Sequence, residues 1–222
     1  EIFSERIDGD YESNPSFSTR HEDEENIFAK QYATRNGWSR CHYSLYIPVR
    51  NSGAEPYLIA GFAGLGGAFC MGQANLMFNF LTDYSINLDL GGLSGEPSGT
   101  LGVGWRASGS FHTHVNHDGI VPPATSLQIS KDAGANEVVF SSEAGGKVSL
   151  EVPDRVQIRL NAKGNQVQVS VFDKANLARP LLEGENQVEN VEPGTIALFG
   201  FGNGTASEDT GFKVYSVTVT GN

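Results

Sequence analysis

The chain has 222 residues, of which 39% are hydrophobic and 18% charged, and its formal net charge is −11. A chain of this length can bury an apolar core without obligatory cross-links. Its Lys and Arg residues are scattered, which excludes the basic surface that nucleic acid or an anionic membrane requires. No apolar run is long enough to cross a bilayer. The composition therefore predicts a globular protein with no nucleic-acid partner and no membrane insertion.

The N-terminal segment is acidic and irregular. Residues 8–12, DGDYE, alternate carboxylates in a turn-like stretch, and such oxygen donors suit Ca²⁺. Residues 18–37 carry Asp and Glu early and Lys and Arg late, an arrangement that a helix dipole favours. The same residues also fit an irregular loop that leads into a strand.

Two cysteines, Cys41 and Cys70, bear on the redox compartment. A disulfide between them would close a loop of about 30 residues and stabilise the fold by about 3–4 kcal/mol. Two buried free thiols are the equal alternative. The chain starts at Glu1 rather than at Met, which predicts a mature or trimmed sequence in which an export signal is no longer visible.

Short runs of strand-forming residues follow, separated by Gly, Asn, Asp and Pro. Helical periodicity is almost absent from them. The pattern predicts strands over 41–49, 55–64, 75–82, 85–90, 100–107, 109–115 and 125–130.

The C-terminal third alternates most regularly, in 147–152, 155–173, 194–202 and 211–221. In RVQIRLNAKGNQVQVSVFD (155–173), apolar residues recur at every second position on both sides of the turn AKGN, which predicts a hairpin with one buried and one polar face. About a dozen strands without helices between them predict an all-β fold, namely an antiparallel two-sheet β-sandwich. No linker or composition break divides residues 1–222, so a single domain is expected.

Residues 150–220 combine a long hairpin, the apolar Gly-rich strand GTIALFGFG and the closing strand FKVYSVTV. This pattern resembles the closing strands of concanavalin A-like jelly rolls. That superfamily includes laminin-G modules, legume-type lectins, sandwich glycoside hydrolases and polysaccharide lyases. The resemblance implies a carbohydrate-handling fold and leaves the activity open, because function resides in sites rather than in the fold.

The resemblance also implies structural calcium, because many members hold Ca²⁺ between the N-terminal segment and the last strand. The alternative is that these carboxylates belong to solvated acidic turns. The carboxylates in matching positions here are Asp8, Asp10 and Glu12, with Glu208 and Asp209 before the last strand.

Two enzyme classes of the superfamily make specific demands. Sandwich glycosidases carry Glu-x-Asp-x-Glu on one strand, and the nearest string here, DGDYE, begins with Asp, so retaining hydrolysis is not predicted. Jelly-roll lyases need a neutraliser for a uronate carboxylate, a base, and a Tyr or His acid. Their strand motifs are absent, but the residue types occur: Arg40, Gln73 and Asn75 for binding, and His42, Tyr46, His112 and His114 for catalysis if the protein is a lyase.

The stretch GSFHTHVNHDG (109–119) holds three of the five histidines. Period two places His112 and His114 on one strand face about 7 Å apart, where they could flank a ligand or chelate zinc or copper with a third donor such as His117. An exposed polar strand is the alternative. Trp105 and Arg106 precede this strand by a short link, which predicts neighbouring strands and one glycan-recognition surface formed with the two histidines.

These observations predict an extracellular or cell-surface β-sandwich that recognises a polysaccharide or another glycan, as a lectin-like or adhesion module. Two alternatives remain. The first is a polysaccharide lyase that cleaves a uronate-containing glycan by β-elimination, and the second is a structural surface or assembly domain without a small ligand.

Overall fold

The computed structural model describes residues 3–6, 38–41, 49–50, 55, 57–60, 67–71, 82–94, 99–107, 115–116, 119–120, 125–132, 135–142, 146–189, 191–201 and 212–221. Over these ranges the chain forms strands and their connections and contains no helix, so the predicted all-β class is confirmed. No membrane-spanning helix occurs among the described residues. The segment 18–37, predicted as a helix or a loop, lies outside them.

Sheet A is the larger of two main sheets and has eight strands. Its central strand, β6 (Tyr84–Gly91), pairs on both sides with strands that are distant in sequence. The spatial order is β15 (Asn176–Gln187), β14 (Gln166–Asp173), β13 (Val156–Lys163), β6 (Tyr84–Gly91), β17 (Phe212–Gly221), β4 (Tyr57–Ala60) and β3 (Val49–Arg50), with β1 (Phe3–Arg6) also paired to β17.

Sheet B has seven strands, all paired antiparallel. Its order is β12 (Gly146–Glu151), β11 (Glu137–Ser142), β10 (Thr125–Lys131), β7 (Gly99–Ala107), β16 (Thr195–Phe201), β5 (Gly67–Met71) and β2 (Trp38–Cys41). A separate two-stranded ribbon pairs β8 (Val115–Asn116) with β9 (Gly119–Ile120).

The core lies between the two sheets, because apolar residues of both contribute to one buried cluster. Period-two alternation produces it, since every second residue of a strand points to the same face. In β6 the inward residues Tyr84, Ile86, Leu88 and Leu90 are all buried. Sheet B contributes Leu101, Val103, Trp105, Leu127, Ile129, Val138 and Phe140 from the opposite side. The predicted two-sheet sandwich is therefore confirmed.

The predicted hairpin in 155–173 is confirmed in detail. Strand β13 ends at Lys163 and β14 begins at Gln166, and Gly164 in the turn has a φ of 55°. A positive φ favours glycine, which has no Cβ to clash with the carbonyl oxygen. The alternating apolar residues of both strands face the core, as expected.

Two buried cations of sheet B reach the connections that flank β6 in sheet A. Before β6, the Nε and Nη2 atoms of Arg106 donate to the carbonyl of Thr82 at 3.0 and 2.9 Å. Nη2 of Arg106 also donates to the carbonyl of Gly164 at 2.6 Å. After β6, Nζ of Lys131 donates to the carbonyl of Leu93. The sheets are thus joined by hydrogen bonds at both ends of β6 as well as by apolar packing.

One predicted strand pairing is not found among the described residues. Strand β7 pairs with β10 on one edge and with β16 on the other, over nearly its full length. Both edges of β7 are therefore occupied by these two strands, and residues 109–114 of the predicted histidine strand lie outside the described residues. The described part of that stretch, Val115–Asn116, pairs with Gly119–Ile120 instead.

Candidate functional site

The outer face of sheet A is lined mostly by uncharged polar side chains. Along β13 the inward positions are buried, while Gln157, Arg159 and Asn161 alternate with them and are partly or fully exposed. Neighbouring strands show the same alternation, which brings Asn and Ser side chains of β6 and Thr side chains of β17 to this face. The period-two pattern that builds the core therefore also builds a polar surface.

Strand register aligns these polar positions into rows that cross the sheet. Neighbouring strands lie about 4.8 Å apart, so a row across five strands is about 19 Å long. The first row contains Thr220, Ser85, Asn161 and Gln168, and the second contains Thr218, Asn87, Arg159, Ser170 and Glu183.

These two rows, with Gln157 and Phe172, line a shallow open groove of about 750 Å³, called here the polar groove. Hydrogen bonds within it hold several side chains in place. Ser85 Oγ donates to Asn161 Oδ1 at 3.0 Å, and Gln157 Nε2 donates to Asn87 Oδ1 at 3.4 Å. The groove is thus a surface of amides and hydroxyls supported by a sheet.

Arg159 and Phe172 form a stacked pair near the middle of the polar groove. The guanidinium carbon of Arg159 lies 4.4 Å from the centroid of the Phe172 ring. Phe172 is only 8% exposed, so the guanidinium covers much of the ring that would otherwise face solvent. The cation–π contact holds the guanidinium of an exposed residue over the ring.

A cluster of ion pairs borders the polar groove. Arg155 donates through Nε and Nη2 to the two carboxylate oxygens of Asp89 at 2.8 and 2.9 Å, and through Nη1 and Nη2 to Glu55 at 2.6 and 2.9 Å. Lys174 contacts the same carboxylate of Asp89 at 3.0 Å, and the Arg155 guanidinium lies 3.8 Å from the Tyr215 ring centroid. These five residues come from five separate segments of the chain, so the cluster is structural in character.

The charges of the cluster shift the pKa values of its members. Burial raises the pKa of the Asp89 carboxyl, but the hydrogen bonds from Arg155 and Lys174 outweigh burial and hold this pKa below its usual value. Hydrogen bonds to Glu55 and Asp89 raise the pKa of Arg155. Asp89 therefore stays ionised and satisfied, which leaves it unavailable to a ligand.

Comparison with known proteins identifies the architecture. No protein-family model matches the sequence, and no curated protein matches it. The structure is similar to the legume lectin-like domain from Entamoeba histolytica, with a TM-score of 0.54 and 11% identity over 93% of this chain and 97% of that domain. The fold is the concanavalin A-like jelly roll.

Two further solved structures share this jelly roll. The VIP36 exoplasmic/lumenal domain in its Ca²⁺/Man2-bound form matches with a TM-score of 0.52 and 8% identity, over 84% of this chain and 82% of that one. The CBM2 module of the evolved Dit of Lactobacillus casei BL23 phage J-1 matches with a TM-score of 0.51 and 11% identity, over 98% of this chain and 95% of that module. At such identities the likeness establishes the fold, and the resemblance predicted from residues 150–220 is confirmed.

Two residues predicted to bind a ligand lie inside the jelly roll. Trp105 and Arg106 are each 1% exposed. Trp105 belongs to the core cluster, and Arg106 donates its guanidinium hydrogens to backbone carbonyls of Thr82 and Gly164. The reason is their place on the central strand β7, where an inward aromatic packs and a cation can survive only with buried partners. The structure corrects the prediction that these two side chains form a recognition surface.

The other predicted site residues lie in parts of the chain about which the structure says little. Arg40 is on β2, where only the backbone is described. Among the described residues no group of three potential ligands surrounds a metal position. Outside the described residues lie the catalytic candidates His42, Tyr46, His112 and His114, the binding candidates Gln73 and Asn75, and the calcium candidates Asp8, Asp10, Glu12 and Asp209.

Sequence reasoning did not single out the polar groove. The polar positions of 155–173 are recognisable from alternation, but they read as an ordinary solvated face. Only the register shows that Asn161 meets Ser85 and that Arg159 meets Asn87, because those partners lie more than seventy positions earlier in the chain. The sequence does contain one indication of a binding face, because amides and hydroxyls outnumber Lys and Glu at the outward positions of these strands.

Proposed function

We propose that this protein recognises a glycan noncovalently through the polar groove. The observation that carries the proposal is the alignment of amide and hydroxyl side chains in rows along an open groove of about 750 Å³. Amides donate and accept hydrogen bonds at fixed positions, and hydroxyls can do either. Sugar hydroxyls, which also donate and accept, are the natural complement of such a surface.

The construction of the polar groove favours binding. Its side chains project from paired strands, and a site on a rigid sheet loses less conformational entropy when it orders a ligand than a loop site does. Two titratable side chains, Arg159 and Glu183, are among the described residues that line it. They lie two strands apart in the same row, and neither is buried. An Arg and a Glu about 10 Å apart do not make the base and Tyr or His acid that β-elimination requires. This supports recognition over a lyase reaction at this surface.

The known proteins of this fold are consistent with the proposal. VIP36 has been described with Man2 bound, and the Entamoeba histolytica domain is legume lectin-like. These proteins share the jelly roll and not the residues, so they support the class of ligand and say nothing of where it binds here.

Two further proposals complete this function. We place the protein outside the cell or at its surface, where polysaccharides are abundant and a Cys41–Cys70 disulfide would persist. We also propose Ca²⁺ as a structural ion held by Asp8, Asp10, Glu12 and Asp209, in keeping with the Ca²⁺-bound forms of VIP36.

A glycan array followed by calorimetric titration of the bound oligosaccharides tests recognition through the groove. Gln157→Ala with Asn87→Ala should weaken binding by about tenfold, because two hydrogen-bonding amides are lost from the groove. Unsaturated products, followed by their ultraviolet absorbance, would instead reveal a lyase.

The matched control is Gln128→Ala on β10 of sheet B, where a half-buried amide lies between the inward residues Leu127 and Ile129. This variant should bind like the unaltered protein. Equal binding by the groove variant and the unaltered protein would show that the glycan site lies elsewhere.

A further inference from the structure

Arg159 is an uncompensated cation at the centre of the polar groove. It makes no hydrogen bond or ion pair with the residues that the structure describes, and its guanidinium stacks on the Phe172 ring. Its neighbours in the row, Asn87 and Ser170, are uncharged. The guanidinium therefore presents its N–H donors to solvent, supported from below by an aromatic ring.

The carboxylates nearest to Arg159 do not neutralise it. Asp89 is bound by Arg155 and Lys174 at 2.8 and 3.0 Å. Glu183 lies in the same row as Arg159 but on β15, two strands away, which is about 10 Å between backbones. Glu183 instead accepts a hydrogen bond from Gln168 at 3.4 Å. A free cation flanked by neutral polar groups is thus a ready partner for an anionic group of a ligand.

We propose that the polar groove selects a glycan bearing an acidic group, a carboxylate or a sulfate ester, which is bound by Arg159 from its place over the Phe172 ring. This inference rests on the proposed glycan recognition and names the class of sugar. A guanidinium offers two parallel N–H donors to a carboxylate or sulfate, and charge-assisted bonds of this kind are about twice as strong as neutral ones.

The position of Glu183 sets the direction in which such a glycan lies. Its carboxylate repels an anion placed on the β14 and β15 side of Arg159. The neutral residues Asn87 and Thr218 continue the row on the other side, over β6 and β17. The acidic group therefore sits on Arg159, and the hydroxyl-bearing part of the glycan extends across β6 and β17.

The net charge of −11 does not oppose this assignment at the contact itself. Repulsion from distant carboxylates is screened over a Debye length of about 8 Å at physiological ionic strength, whereas the guanidinium contact is direct. The acidic surface instead disfavours nonspecific adhesion of polyanions, so binding of an acidic glycan depends on a local cation such as Arg159.

The test compares ligands that differ only in the acidic group, by calorimetric titration of the intact chain. One pair is an oligogalacturonate and its methyl ester, and the other is a sulfated galactan oligosaccharide and its desulfated form. The first pair isolates a carboxylate and the second a sulfate. The protein should bind at least one acidic member about tenfold more tightly than its neutral counterpart.

Charge variants of opposite sign make the test specific. Arg159→Gln should lose about tenfold in affinity for the acidic ligand and less for the neutral one, because only the acidic ligand loses a charge-assisted pair. Glu183→Gln should bind the acidic ligand more tightly, by about twofold to fivefold, because it removes the like charge. Arg159→Lys should fall between, since an ammonium keeps the charge without the planar fork.

Lys163→Gln is the matched control, because it removes the same charge from an exposed residue of the same strand that does not line the groove. It should leave both affinities unchanged. Equal affinity for the acidic and neutral members of both pairs would overturn the inference while leaving glycan recognition intact. A protein that binds none of the four oligosaccharides and nothing on a glycan array would overturn both.

Discussion

At the scale of single residues, Trp105 is the most informative side chain of the core. It is 1% exposed, and its indole Nε1 has no hydrogen-bond partner among the described residues. A buried donor without a partner costs about 1–3 kcal/mol. Trp105 therefore contributes a large apolar surface and carries an unfavourable polar atom at the same time.

We predict that Trp105→Phe changes the free energy of unfolding by no more than about 1 kcal/mol, because losing the orphaned donor offsets part of the lost volume. Trp105→Ala should instead cost about 3–5 kcal/mol, as truncation leaves a cavity. Urea unfolding followed by circular dichroism measures both. A Phe variant as unstable as the Ala variant would mean that the indole N–H is satisfied in solution.

Asp89 makes stability depend on pH. Its pKa is held below the usual value in the folded protein, so the unfolded chain takes up the proton first as the pH falls. Its stabilising contribution is full above about pH 5 and declines as the pH falls through about 4 toward the folded-state pKa.

Asp89→Asn should therefore lower the free energy of unfolding at neutral pH, by about 1–3 kcal/mol, and flatten its decline in acid. Urea unfolding across the acid range measures this. Asp132→Asn, which removes an exposed carboxylate, is the control and should follow the unaltered protein. An Asp89→Asn profile that parallels that control would show that the ion-pair cluster contributes nothing.

At the scale of elements, the turn between β13 and β14 joins both sheets through its backbone. The amide of Gly164 donates to Asp83 Oδ1 at 2.8 Å, and its carbonyl accepts from Arg106 of sheet B. A Cβ at this glycine would meet nothing within 4 Å, so only the positive φ of 55° opposes a side chain.

We expect Gly164→Ala to destabilise the protein by about 1–2 kcal/mol through backbone strain alone. Gly164→Asn should cost less, because Asn tolerates the left-handed region better than Ala does. Thermal melts of the two variants distinguish strain from steric conflict. Equal losses for Ala and Asn would point to a clash rather than to φ.

The strands differ in how well the sequence pattern predicts their positions. Strands β13, β14 and β17 follow strict alternation and match the prediction closely. Strand β15, NLARPLLEGENQ, was missed because it contains Pro180 and does not alternate. It is a strand only because β14 offers it an edge, with the register shifting near Phe172. Strand β11 was also missed, since EVVFSS is a short run between loops.

The candidate site was harder to predict than the strands that carry it. Local pattern identifies which residues of one strand share a face, but it does not say which strands meet. The polar groove depends on β6 lying beside both β13 and β17, and these pairings are nonlocal. The histidine cluster and the acidic stretch are predicted as sites because their residues are adjacent in sequence. Both stay predictions.

At the scale of the whole molecule, the predicted calcium site involves residues outside the described core. An ion held by Asp8, Asp10, Glu12 and Asp209 would connect the N-terminal segment to the residues that precede β17. Binding to the native state alone raises its stability by mass action. Chelation should therefore lower the melting temperature, and saturating Ca²⁺ should restore it. Melting curves that coincide with and without chelator would remove the calcium site.

The pairing of β6 with β17 has a consequence for biosynthesis. A ribosome releases the chain from the N-terminus, so β6 emerges long before β17, which spans Phe212–Gly221. Until those last strand residues leave the exit tunnel, one edge of β6 stays open in the nascent chain, and its row of inward Ile and Leu side chains lacks a neighbour. Domains dominated by such nonlocal pairs fold on the scale of milliseconds to seconds, and unpaired edges are prone to aggregate in the interval. The nascent chain therefore exposes an unpaired sheet edge until β17 has pairing access to β6.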